Sequence, residues 1–327
     1  MTMNSRRRLI VGATLAGLSP WTARAQQWPD RPLRFVVPLP PGGSYDYLAR
    51  ALGEPLSKQI GQPVVVENRA GADGRIGIAH LARQPADGYN IGIISVTNVT
   101  HPSLFKNIPY DILKDFQPVA LVAHAPFVLL VGPALPDVKT ARDYVELARR
   151  KPGAVTFGSS GVGSPFHIGG EQFKSALGVD MLHVAYKGSG PLATDLLGGQ
   201  VMSAFAPVGP NLQHIRTGRL RALAALTDER LAVLPDVPTM SEALGLPGLS
   251  MISWLGIVAP QGTPAPIVER LNREINAIVR DPQFVRDKLA PQAYEPMTHT
   301  PQAMQQLMSR DLEKYAKIIR AAGITAE

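Results

Sequence analysis

Four short bends in this chain combine glycine, proline and small polar residues in a way suited to holding an anion. They are Pro40-Pro41-Gly42-Gly43-Ser44-Tyr45-Asp46, Arg69-Ala70-Gly71-Ala72-Asp73-Gly74, the run from Gly158 to Pro165, and Lys187-Gly188-Ser189-Gly190-Pro191. Each follows a β-rich stretch and precedes a helical pattern. Proline stops the strand from running on, and glycine permits positive φ and close backbone approach. The first N–H groups of the following helix then lack partners at the bend, where the helix dipole also favours negative charge. Each such helix start contributes on the order of 0.3–1 kcal/mol towards an anion, more when water is excluded. Ser44, Arg69, Thr97, Ser159, Ser164, Tyr186 and Lys187 are the side chains placed to join those amides. The chemistry suits a carboxylate or a phosphate. A nucleotide loop would read G-x-x-x-x-G-K-[ST] or G-x-G-x-x-G, and Gly158, Gly161 and Gly163 have neither spacing, which argues against a nucleotide site.

Ser164 and His167 raise a rival chemistry, an exported hydrolase, because residues three apart on a helix can approach each other. Ser164 followed by Pro165 nevertheless reads as an N-cap and first helical residue. An N-cap turns its oxygen towards backbone N–H groups, and no G-x-S-x-G elbow surrounds this serine. The reading adopted is that His167 packs or binds ligand and that the chain has no catalytic residue. The other histidines show no H-x-x-x-H or H-E-x-x-H spacing, so neither a metal nor another cofactor is expected. Asp46 reads as a bracing group that also complements the helix dipole in a first turn, and Asp195 fits a helix surface or a bracing contact.

These bends must be carried by alternating strands and helices. Residues 33–37, 64–67 and 90–95 read as short buried strands with helices between them, which implies a mainly parallel sheet covered on both faces. In such sheets ligands bind beyond the carboxyl ends of the strands, so the first two bends and Val96-Thr97-Asn98 should share one edge. Apolar stretches follow at 119–122 and 127–131, then a helix from Thr140, where Asp143 completes a capping box. Val155-Thr156-Phe157 leads into the third bend, and a helix runs to Leu177 with Gly178 as its stop. Leu182 to Tyr186 is a strand, 192–197 a short helix, and 201–205, 220–226 and 254–260 are further strands. Thr263-Pro264 and Thr300-Pro301 open two long helices with apolar faces. Two domains are expected, with crossings inside strands near 125 and 252. The first lobe is then discontinuous, 26–125 with 253–327, and the second is 126–252.

The 327 residues suffice for two such lobes, and no internal apolar run is long enough to span a bilayer. The N-terminus reads as an export signal: Ser5-Arg6-Arg7-Arg8, an apolar run from Leu9 to Leu18, then Ala23-Arg24-Ala25. The order fits either a Sec or a twin-arginine signal, with a mature chain from Gln26 in the periplasm. Residues 1–25 hold four arginines and no acid, so their removal lowers the net charge from +7 to +3. With no Lys/Arg cluster interleaved with aromatics elsewhere, a nucleic-acid partner loses its support. Cysteine is absent, which excludes a thiol nucleophile and thiolate zinc sites.

Six blocks taken in order resemble one family. Pro40-Pro41-Gly42-Gly43-x-x-Asp46-x-x-Ala49-Arg50 and Glu67-Asn68-Arg69-x-Gly71-Ala72 are the first two. Gly158-Ser159-Ser160-Gly161-x-Gly163-Ser164-x-x-His167 is the third. Tyr186-Lys187-Gly188-Ser189-Gly190-Pro191, continued by Asp195-Leu196-Leu197-Gly198-Gly199-Gln200, is the fourth. Leu234-Pro235-Asp236-Val237-Pro238-Thr239 and Ala259-Pro260-x-Gly262-Thr263-Pro264 complete the set. Together they resemble the Bug-type extracytoplasmic solute receptors of tripartite tricarboxylate transporters, over essentially the whole mature chain.

The resemblance implies an α/β, two-domain, Venus-flytrap periplasmic-binding-protein fold of type II character, closing on a small organic carboxylate. It implies a membrane permease as partner, or a signalling system whose ligand-binding lobe this chain would be; the reading adopted is a monomeric transport receptor. The candidate ligand-binding residues are Gly43, Ser44, Arg69, Gly71, Ala72, Thr97, Ser159, Ser164, His167, Tyr186 and Lys187. There are departures from the family pattern: Asp73 replaces a usual glycine, Ala185 a frequent proline, and Ala206 a frequent aspartate. Tyr45 and Tyr47 flank Asp46 and suggest an aromatic wall.

Overall fold

A computed structural model describes residues 28–246, 249 and 251–324; the export signal lies outside the described residues. The first strand, β1 (Leu33–Val37), runs into the first bend and then α1 (Ser44–Ile60). β2 (Val64–Asn68) leads through a short 3₁₀ turn into α2 (Arg75–Ala82), and β3 (Asn90–Ser95) passes directly into α3 (Val96–Leu104). β2 and β3 flank β1 as parallel neighbours. The three carboxyl ends therefore lie side by side at one sheet edge.

The chain then forms β4 (Phe116–Val131), one unbroken strand where the sequence suggested two apolar pieces. Its first part pairs antiparallel with β9 (Ile252–Pro260), and its last five residues pair with β7 (Ser203–Pro207) on one side and β8 (Arg221–Ala225) on the other. β4 thus belongs to both sheets. The second sheet is completed by β5 (Thr156–Ser159) and β6 (Leu182–Ala185), with β7, β5 and β6 parallel to one another. Their helices are α4 (Ala141–Arg150), α5 (Pro165–Leu177), α6 (Ser189–Leu197), α7 (Val208–Arg216) and the short α8 (Met240–Leu244). After β9 come α9 (Ala265–Arg280), α10 (Pro282–Phe284), β10 (Glu295–Pro296) on the other edge of β4, and α11 (Pro301–Ala321). The sheet is therefore mixed. Parallel ladders form one side of each sheet, β2-β1-β3 and β7-β5-β6, while β9, β4, β8 and β10 pair antiparallel; β9 and β4 carry the chain between the sheets in opposite directions.

Alternate residues of a strand face opposite sides of its sheet. Phe35 and Ile93 accordingly pack with Leu48, Leu52 and Leu56 of α1 and Leu271 and Ile275 of α9. Val36 and Ile94 pack on the other side with Leu81, Phe116, Met304 and Met308. The second sheet has its own core, built from Phe157, Phe173, Phe205, Tyr144 and Leu129. Ile168 of α5 is an exception, being fully buried in the core of Trp254 and Met304.

Candidate functional site

The first bend is shaped by its own acid. Gly42, at φ +85, donates its N–H to Asp46 Oδ2 at 2.9 Å, and Arg50 pairs with Asp46 Oδ1 at 2.9 Å. Arg50 also reaches Asn68 Oδ1 at 3.2 Å, and Asn68 donates back to the Leu39 carbonyl at 3.0 Å. Burial raises the Asp46 carboxyl, but the bonds from Arg50, Gly42 and Asn68 outweigh it and hold its pKa below the ordinary carboxylate value. The bracing role expected of Asp46 is what the geometry shows. Tyr47 N–H makes the first α1 bond, to the Gly43 carbonyl, so the amides of Ser44, Tyr45 and Asp46 have no helical acceptor.

In the second bend Gly71, Ala72, Asp73 and Gly74 all have positive φ, +136, +48, +54 and +91. Left-handed backbone costs a β-carbon-bearing residue about 1–2 kcal/mol, with aspartate among the more tolerant. Glycine would sit at position 73 without that cost. Ala72 and Asp73 are exposed. Arg69 is bound to Glu67, with Nε at 2.7 Å from Oε1 and Nη2 on the same oxygen, so its charge is neutralised within the bend. Thr97 donates its N–H to Ser95 Oγ at 3.1 Å, because Ser95 caps α3 together with Asn98. Tyr45 is not a wall. Its hydroxyl lies in the core against Ser95 Oγ and 3.2 Å from Asn98 Oδ1, and burial raises its pKa to about 12. Tyr47 turns away, donating to the Lys288 carbonyl at 2.8 Å.

The third bend is tied to two imidazoles. Ser159, fully buried, donates its hydroxyl to the Gly161 carbonyl at 2.9 Å, accepts from Gly161 N–H at 3.2 Å, and stands 2.6 Å from His183 Nε2. Gly163 donates its N–H to His167 Nδ1 at 3.0 Å, and Ser164 Oγ accepts from His167 N–H at 3.4 Å. The His167 and His183 rings stack at 3.6 Å between centroids, 7° from parallel. Burial pushes His167 down to about 3, with His183 and Lys174 adding to the shift; burial and then Lys174 push His183 down to about 4. Ser164 and His167 do not pair as nucleophile and base: Ser164 Oγ accepts from the His167 amide, and His167 Nδ1 accepts from the Gly163 N–H.

In the fourth bend Tyr186 donates to Asp195 Oδ2 at 3.0 Å, the bracing alternative of the two expected for Asp195. Lys187 is exposed just ahead of Gly188, whose φ of +106 turns the chain into α6 without a side-chain cap. A further bend was missed in the sequence. Pro207 ends β7 and opens α7 with no side-chain cap, so the Val208 and Gly209 amides are also without helical acceptors. Its only signal was Pro207-Val208-Gly209-Pro210 after an apolar run.

The structure therefore brings 40–46, 69–74 and 95–98 to one sheet edge, and 159–164, 186–190 and 207–209 to the other. The second set touches the rest of the chain at two points away from the first edge: Gly163 lies against Leu104, the last residue of α3, and Gly209 lies against Gln292. No group of three or more His, Cys, Asp or Glu able to hold a metal occurs among the described residues, and none of their helices is long and apolar enough to cross a membrane.

Residues 48–324 match the family model described as the tripartite tricarboxylate transporter family receptor. Protein BugT of Bordetella pertussis is 38% identical over 301 residues, covering 91% of each chain. The solved structure of the periplasmic binding protein BugD superposes with a TM-score of 0.81 at 33% identity, over 91% of this chain and 99% of that one. The R. palustris protein Rpa4515, solved with adipate, gives a TM-score of 0.83 at 34% identity, with the same two coverages. The fold is that of periplasmic binding proteins, and the matched family consists of solute-binding receptors rather than enzymes. This chain belongs to the tripartite tricarboxylate transporter receptor family of solute-binding proteins.

Proposed function

We propose that this receptor binds a small organic carboxylate in the periplasm, after export through its N-terminal signal, and hands it as a monomer to a tripartite tricarboxylate-type permease. In this reading 26–125 with 253–327 form one lobe and 126–252 the other, and the ligand lies between them. Gly43, Ser44, Gly71 and Ala72 contribute from the first lobe, with Thr97 at the head of α3. Ser164 and Lys187 contribute from the second, while Arg69, Ser159, His167 and Tyr186 shape the bends that carry the amides.

The observation that carries the reading is the state of the donors and cations around the two edges. Helix starts at 44–46, 189–190 and 208–209 keep amides without chain acceptors, while Arg50 and Arg69 are already paired to Asp46 and Glu67. Such a rim recognises an anion by amide geometry rather than by a bare charge. An adipate-bound relative supports the ligand class. The test is thermal unfolding of the mature protein against a panel of mono-, di- and tricarboxylates, sugars and amines. A carboxylate at 100 times its Kd should stabilise by about 2.7 kcal/mol. Stabilisation by sugars or amines alone would overturn the reading.

A further inference from the structure

We propose that His183 is a positioning residue: acting through Ser159 and His167, it fixes the loop shape in which 159–164 presents its amides and Gly163 meets Leu104. The purpose assigned to that loop rests on the carboxylate-receptor reading; the positioning itself does not.

The hydrogen-bond geometry sets the tautomer of His167 and is compatible with the same one for His183. With the Ser159 hydroxyl hydrogen directed to the Gly161 carbonyl, Ser159 Oγ accepts from His183, which then carries its proton on Nε2. Gly163 N–H points at His167 Nδ1, so that nitrogen must be bare and His167 must carry its proton on Nε2. That Nε2 stands 3.8 Å from Glu171 Oε1, and Glu171 in turn holds Lys174 at 2.9 Å. Two loop amides, Gly161 and Gly163, are thus bound to Ser159 Oγ and His167 Nδ1, and His183 contacts both, by its Nε2 at Ser159 and by its stacked ring at His167. The charged groups facing the pair, Glu171 and Lys174, both come from α5; β5 contributes only Ser159 and the ring of Phe157, 5.1 Å from His183 between centroids. A proton added to His167 has to sit on Nδ1, where it displaces the Gly163 N–H. A proton added to His183 places a charge 3.6 Å from the neighbouring ring. Either event frees the segment that touches the other half of the molecule at Leu104.

Two variants separate the contributions. His183→Phe keeps a ring on His167 and removes the donor to Ser159. His183→Gln keeps a donor and removes the ring. Hydrogen exchange of the Gly161 and Gly163 amides is read by NMR in the ligand-free mature protein, with the amides of Phe35 and Ile93 as internal standards. In His183→Phe the Gly161 amide should exchange about tenfold faster, the loss of one hydrogen bond, with the standards unchanged. In His183→Gln the Gly161 amide should keep its protection while Gly163 loosens. Unchanged protection in both variants, or equal acceleration of the two glycines and the standards, would overturn the proposal. Nitrogen-15 histidine spectra of the unmodified protein at pH 7 decide the matter if a variant does not fold. Both rings must show Nε2–H, and an Nδ1–H form of either refutes the arrangement. Calorimetry with adipate as probe is run alongside. Exchange effects without any adipate binding leave His183 as a positioning residue and count against adipate as ligand, so the two readings fail separately.

Discussion

Gly209 lies so close to Gln292 that a β-carbon on it would press on the Gln292 carbonyl oxygen and stand 2.8 Å from the carbonyl carbon. The start of α7 is thereby seated on the turn that follows α10, and the glycine is required by proximity rather than by φ. Gly209→Ala should push α7 and residues 290–292 apart at a cost of about 1–3 kcal/mol. Urea unfolding measures it. A variant as stable as the parent would mean that this contact yields without strain.

Gly163 faces the same demand twice over. Its φ is +74, and an added β-carbon would meet Leu104 Cγ at 2.8 Å and both methyls more closely still. Gly163→Ala should therefore cost about 1–2 kcal/mol from backbone alone, in addition to weakening ligand binding. Leu104→Ala should remove the clash. The double variant should be less damaged than the two singles combined, by about 0.5–3 kcal/mol in a mutant cycle. Additivity would show that the two residues do not press on each other.

Asp73 occupies left-handed backbone at φ +54, where glycine pays no steric penalty. Asp73→Gly should leave the protein equally stable or up to about 1 kcal/mol more stable, since relief of strain opposes the added chain freedom. It also removes a negative charge from a bend assigned to anion binding. Calorimetry should show tighter carboxylate binding, and more so at low salt. Weaker binding would place this side chain in direct contact with a cationic part of the ligand.

Acid should destabilise the fold, and the histidines set the window. His167, His183 and His101 have folded values of about 3, about 4 and about 4 against an ordinary 6.5, in each case with burial as the largest cause. Below pH 6.5 the unfolded chain binds protons that the folded chain refuses. The stability these groups supply is complete above that value and lost as pH falls towards the folded values. Each contributes a slope of up to about 1.4 kcal/mol per pH unit. The Asp46 carboxyl, lowered when folded, loses its share in the same direction but at more acid pH. Denaturant midpoints at pH 7.5, 6.0 and 5.0 should fall in that order. A flat profile would contradict the buried neutral pair.

Asp46→Ala should unfasten the first bend, since it removes the acceptor of the Gly42 N–H and the partner of Arg50. The expected loss is about 1–3 kcal/mol, and ligand affinity should fall with it because the α1 amides lose their fixed direction. Asp46→Asn keeps an acceptor for Gly42 and should recover part of both.

Much of this was written in local chemistry. Ser164-Pro165 starts α5, Thr140 with Asp143 caps α4, and Gly178 ends α5 at φ +60, as their residue types require. The 33–37 and 90–95 strands stand where their apolar runs put them. What escaped was non-local. A strand was expected to run through 125, but its full length from Phe116 to Val131 was not legible in two separate apolar stretches; β9 pairs opposite 124–126 and fixes an extended backbone there. Val96-Thr97-Asn98 read as a turn at a strand end. It is the first turn of a helix, and Ser95 accepts the Thr97 N–H. The stacking of His167 on His183 joins residues on α5 and β6, and no spacing rule connects them. Ser159 looked available to a ligand, but its three hydrogen bonds come from neighbours that only the fold supplies.

The sixteen residues of β4 have a practical consequence for anyone wishing to handle half of this molecule. A cut at Pro126 would sever a ribbon in the middle of its ladder. One fragment would keep Phe116–Ala125 against β9, and the other would hold 127–131 between β7 and β8. Each fragment would expose a raw strand end with unpaired backbone, an invitation to aggregate. The closure proposed for the two halves would therefore have to twist β4 and β9 as continuous ribbons rather than swing about a loose linker.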